Sequence, residues 1–101
     1  MNTFLLRIDT KPIVGSEHFG RFAGACFTAL IVSETPGGAI RRAADHAARL
    51  GWFCEEIRDV HTIERSAAIG DARFLNLWDT AQRNGIAVII DTFAVKISAT
   101  N

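Results

Sequence analysis

No stretch of the 101-residue chain stays apolar for the ~20 residues that a helix needs to cross a bilayer. The opening Met1-Asn2-Thr3-Phe4-Leu5-Leu6-Arg7 meets a charge too early for the apolar region of a secretory signal. Neither sign of charge is in excess, since eleven basic and eleven acidic side chains cancel. A surface built for a phosphate backbone carries a basic surplus, so neither nucleic acid nor a membrane is an expected partner. Cysteine is scarce. Cys26 and Cys54 each fall inside an apolar, strand-like segment, where a thiol behaves as a small hydrophobe, and two of them without a secretory pattern imply reduced core residues of a cytoplasmic protein. Lysine is scarcer than arginine: nine of the eleven cations are Arg, the side chain of fixed, planar pairing. Internal repeats, low-complexity runs and phosphate or dinucleotide signatures are missing as well, and no cofactor is expected.

What is present is one domain, residues 1–95, with a mobile tail over 96–101. Thr3 to Thr10 alternates as a strand, with Phe4, Leu6 and Ile8 on one face. Lys11 to Phe22 is a twelve-residue connection punctuated by Pro12, Gly15 and Gly20, long enough to hold a turn of helix. Ala23 to Glu34 is a strand apolar on both faces, and Gly24 in it permits a bulge or the close approach of another backbone. Thr35-Pro36 starts a helix with a capping hydroxyl and a proline at its first position. Ile40, Ala43, Ala44, Ala47 and Leu50 form its stripe, and Gly51 ends it. Trp52 to about Arg65 is extended, but its alternation slips near Arg58-Asp59. A bulged single strand is preferred over a hairpin there, because Arg-Asp lacks the glycine of a tight turn. Asp71 caps a second helix closed by Asn84-Gly85, and Ile86-Ala87-Val88-Ile89-Ile90 reads as a strand buried on both faces.

Strand-strand-helix-strand-helix-strand, with a largely antiparallel four-stranded sheet and two helices on one face, is the order of an α+β, ferredoxin-like sandwich. Phe22-Ala23-Gly24-Ala25, the alanine-rich helix ending in Leu50-Gly51-Trp52, Glu55-Glu56-Ile57 and Gly85-Ile86-Ala87-Val88 together resemble a group of small bacterial α+β proteins without assigned function. The resemblance spans most of the chain. It implies a ferredoxin-like fold and a bacterial cytoplasmic origin, and it transfers no active site.

Two helices on one face leave the opposite sheet face bare. Exposing five aliphatic side chains there forgoes roughly 1.5 to 3 kcal/mol each, and a twofold homodimer is the commonest cover. The leading expectation is therefore a homodimeric binding or interaction module that uses its open sheet face. Two alternatives stand beside it. One is a small-molecule enzyme of the dimeric α+β barrel type with a pocket near His18, Arg21 and Asp9. The other is an immunity or antitoxin-like partner that presents an acidic face of Glu55, Glu56, Asp59 and Glu64. The catalytic candidates are His18 and Arg21 in the long connection, His61 beside Asp59 or Glu64, and Asp9. A metal site is not expected, because the spacings of His18, Cys26, Cys54 and His61 match no short ligand pair.

Overall fold

A computed structural model of the chain describes residues 1–95, so the expected mobile tail lies outside the described residues. The elements are β1 (Asn2–Pro12), β2 (Phe22–Ser33), α1 (Pro36–Arg49), β3 (Trp52–Ile63), a short 3-10 turn (Arg65–Ala68), α2 (Ala72–Asn84) and β4 (Ile86–Ala94). They form one four-stranded sheet in the order β3-β1-β2-β4, in which every neighbouring pair is antiparallel. The N-terminal strand is therefore interior, and β4 lies at a rim.

The local rules read from the sequence act where expected. Thr35 is extended and its hydroxyl accepts from Gly38 N–H at 3.0 Å, with Pro36 following in the first helical turn. Asp71 Oδ1 accepts from the N–H groups of Arg73 and Phe74 and so opens α2. Gly51 and Gly85 close the two helices at φ of 90° and 82°, a region that a side chain disfavours. Trp52–Ile63 is a single strand whose pairing with β1 slips between Arg7 and Ile8 and again between Asp9 and Thr10, so the bulged reading holds and the hairpin does not.

The two helices do not share a face. Ile31 and its alternates Ala29, Phe27 and Ala25 pack with Phe4, Leu6, Ile8 and the α1 alanines 39, 43 and 47. Leu30, one residue along, packs with Leu5, Ala87 and the α2 residues Leu77 and Ala81. Successive strand side chains point to opposite sides, so α1 and α2 cover opposite faces. β2 is apolar on both faces because each face meets a helix, and the bare greasy face expected from the sequence is absent among the described residues.

The cover is diagonal. α1 lies over β3, β2 and β1, whereas α2 lies over β4 and β2. On the α2 side, β1 and β3 therefore show Arg7, Asp9, Glu56 and Asp59 to solvent, a polar surface that needs no roof. On the α1 side, the bare remainder is a narrow apolar strip of β4, where Val88 is half-buried and Ile90 exposed. β4 is thus an edge strand, not one buried on both faces; of its apolar run only Ala87 is fully enclosed.

Candidate functional site

The connection between β1 and β2 folds as successive turns, with Ser16 N–H donating to Ile13 O, Phe19 N–H to Ser16 O and Arg21 N–H to His18 O. No helical segment forms in it. Ile13 N–H donates to Gly51 O at 2.9 Å, which ties the connection to the end of α1. Gly51 is required at that contact. A Cβ there would lie 3.1 Å from both Ser16 Cβ and His18 Cδ2, and its φ of 90° already disfavours one.

Against this anchor the His18 ring stacks on Trp52, with centroids 4.7 Å apart and planes 18° from parallel. Phe22 lies tilted at 6.0 Å from each of them, and Phe27 meets Trp52 edge-on from the core. His18 Nε2 donates to Leu50 O at 2.8 Å. Because a carbonyl only accepts, Nε2 carries the proton. Nδ1 is buried without a hydrogen-bond partner, as is Ser16 Oγ.

Beside this cluster is an open depression of about 490 Å³ lined by Phe22, Trp52, Leu50, Ile90, Thr92 and His18, with Glu17 and Arg49 on its rim. Arg49 makes no ion pair among the described residues, and Glu17 approaches only the His18 ring, with Nε2 at 3.9 Å and already engaged with Leu50. The site therefore offers an aromatic and aliphatic floor, one carboxylate and one guanidinium. A depression of about 530 Å³ at the other end of the sheet is lined by Met1, Val32, Glu34, Arg42 and Gly85 among others. It has no aromatic side chain, and its Arg42 is already held by Val32 O at 3.1 Å.

Of the four catalytic candidates the structure brings only His18 to the depression, and there the ring serves as a wall: one nitrogen is bonded and the other buried. Arg21 lies over the outer side of the Phe22 ring at 5.5 Å. Asp9 is on the α2 side of the sheet, 3.5 Å from Arg58 Nε, so His18, Arg21 and Asp9 are not assembled into one set. His61 is exposed and meets Asp59 Oδ1 at 3.2 Å. The acidic side chains of β3 are partly compensated, Glu55 by Lys11 at 3.6 Å and Asp59 by His61. No group of three metal-ligating side chains gathers among the described residues.

Sequence reasoning missed Arg49 and Leu50, which the end of α1 sets against the β1–β2 connection, and Ile90 and Thr92, which join only through the return of β4 alongside β2. One signal was available: Leu50-Gly51-Trp52 places a bulky apolar residue on either side of a helix stop, which marks a corner that something must cover. The fold and site together define a small α+β domain with an aromatic-floored recess at one end of its sheet. No protein-family model, curated protein or solved structure matches the chain.

Proposed function

We propose that the chain is a small homodimeric binding module, and that its ligand is a small zwitterion with an apolar side chain, an apolar α-amino acid being the simplest. The observation that carries this reading is the chemistry of the depression: an apolar floor of Phe22, Leu50 and Ile90 beneath one carboxylate, Glu17, and one guanidinium, Arg49, neither of which is spent on a strong partner. Arg49 suits a carboxylate, which it can grip with two parallel bonds. Glu17 suits an ammonium. The floor supplies affinity, and the two rim charges fix orientation.

Surroundings fit a binding end. Val14, Phe19, Phe53 and Phe93 are each more than half exposed, and all lie at this end of the sheet. No helix among the described residues is long and apolar enough to cross a membrane.

Titrating the protein with phenylalanine, leucine, phenylacetate and phenethylamine, followed by amide shifts and by Trp52 fluorescence, tests the reading. The expected result is shifts at residues 17–22, 49–52 and 90–92 with the two amino acids, and at least tenfold weaker binding of the singly charged analogues. Arg49→Ala is expected to abolish the preference for a carboxylate. Binding of none of the four at millimolar concentration overturns the proposal.

A further inference from the structure

The two rims of the sheet are built differently. β3 carries Glu55, Glu56, Arg58 and Asp59 together with two breaks in register, devices that keep a rim from pairing with another chain. β4 is nearly free of them: Ile86–Ala94 contains no proline, no lysine and a single charge, Asp91, and its one break in register falls at the far end of the ladder, between Phe22 and Gly24 of β2. The direction of its backbone groups follows from the ladder. Val32 N–H donates to Gly85 O at 2.9 Å, and the register continues with Leu30 beside Ala87, Thr28 beside Ile89 and Cys26 beside Asp91. Bonded pairs alternate in an antiparallel ladder. The odd-numbered residues therefore bond β2, and the N–H and C=O groups of Ile86, Val88, Ile90 and Thr92 point away from the sheet.

We infer that a second copy of the chain pairs along this rim, β4 antiparallel to β4, about a twofold axis at Ile90. This rests on the homodimer proposed above and assigns its interface. Centring on Ile90 sets Ile90 opposite Ile90 and Val88 opposite Thr92, all residues whose backbone groups face outward. On the α1 side it joins the two apolar strips of β4 that α1 leaves bare, and it places Val88 and Ile90 of the second copy along the open wall of the depression. On the α2 side Phe93, 54% exposed, falls opposite Ala87 of the second copy. There a hollow of about 240 Å³ is lined by Arg73, Asn76, Leu77, Thr80 and the backbone stretch Ala87 to Ile89. Asp91 falls opposite Ile89 of the second copy, beside Arg73 in that hollow. Neither Asp91 nor Arg73 has an ion pair among the described residues.

Neighbouring registers are worse. Centring on Asp91 stacks two like charges, and centring on Ile89 carries Phe93 past Ala87 to Gly85. With the axis normal to the sheet, α2 of each copy lies against its own Ala87–Ile89 stretch, on the opposite side of the axis from the other. The contact is isologous, since each copy gives the other the same knob, hollow and ion pair.

Sedimentation equilibrium of the full chain, with circular dichroism to confirm folding, tests the assignment through two exposed charge reversals. The wild type is expected at twice the 11.0 kDa chain mass. Arg73→Asp and Asp91→Arg are each expected to weaken self-association at least tenfold, because each sets like charges at both ends of the contact. An equimolar mixture of the two variants is expected to recover a dimer. In the mixed pair the two introduced charges are opposite and meet at one end of the contact, while the unaltered Arg73 of one copy meets the unaltered Asp91 of the other at the second end. A wild type that stays monomeric at high micromolar concentration overturns both the homodimer and this interface. A dimer indifferent to both reversals, or a mixture that does not recover, overturns the β4 rim alone and leaves the homodimer to another surface.

Discussion

Cys26 and Cys54 show how a residue takes its chemistry from its strand. Both are half-buried free thiols, and burial pushes each above the ordinary 9.0. For Cys26 the carboxylates of Asp9 and Asp91 push further in the same direction, while Arg58 and Arg7 oppose them. The folded chain therefore keeps a proton at a pH where the unfolded chain has lost it. The resulting stability is whole below 9.0 and is lost as the pH rises past the folded values. The melting temperature of the wild type is expected to fall more steeply as the pH rises above 9.0 than that of Cys26→Ala/Cys54→Ala, which differential scanning calorimetry checks; parallel alkaline declines would contradict it. Both thiols are also expected to alkylate more slowly at about pH 8 than free cysteine. That both lie in strands was legible in the sequence from flanking residues, but the expected core placement was not met: each is only half-buried, and Cys26 shares the α2 side with Asp9 and Asp91. The role of His18 was not legible, because it depends on Trp52 and Leu50, more than thirty residues away.

Elements were legible wherever a local rule decides them. The Thr35 and Asp71 caps, the stops at Gly51 and Gly85 and the slip near Arg58-Asp59 each follow from a few adjacent residues. The 3-10 turn over Arg65–Ala68 has no apolar period and left no mark, and which face a helix covers is not a local property at all. Gly24 carries the element-scale prediction. A Cβ there would lie 2.8 Å from Thr10 O, a backbone atom of the neighbouring strand, and 3.9 Å from Phe93. Gly24→Ala is expected to destabilise the fold by roughly 1 to 3 kcal/mol, as overpacking does. Amide shifts should concentrate at Thr10 and at the Phe22–Ala25 end of β2. A change within error in urea denaturation would mean that the strands part freely.

At the scale of the molecule, one sheet carries two cores. Phe27 and Leu30, both essentially buried, sit on opposite faces of β2, one under α1 and one under α2. Because the strands are shared, neither core can melt without removing the other's floor, and the chain should unfold in a single step. Leu30→Ala is expected to cost about 2 to 5 kcal/mol and to lower near- and far-ultraviolet dichroism transitions together; two separated transitions would show that the faces are independent. The sequence announced a two-faced β2 and the number of helices. It could not say that the helices divide the faces between them, because strand alternation labels two sides without naming what covers either. The placing of β1 in the interior and β4 at the rim has a further meaning during synthesis. The ribosome delivers this sheet from its middle outward, so a nascent polypeptide halted within α2 shows the whole flank of β2 as an open template. Such a truncated product is expected to pair along that flank with other chains rather than to work as a fragment.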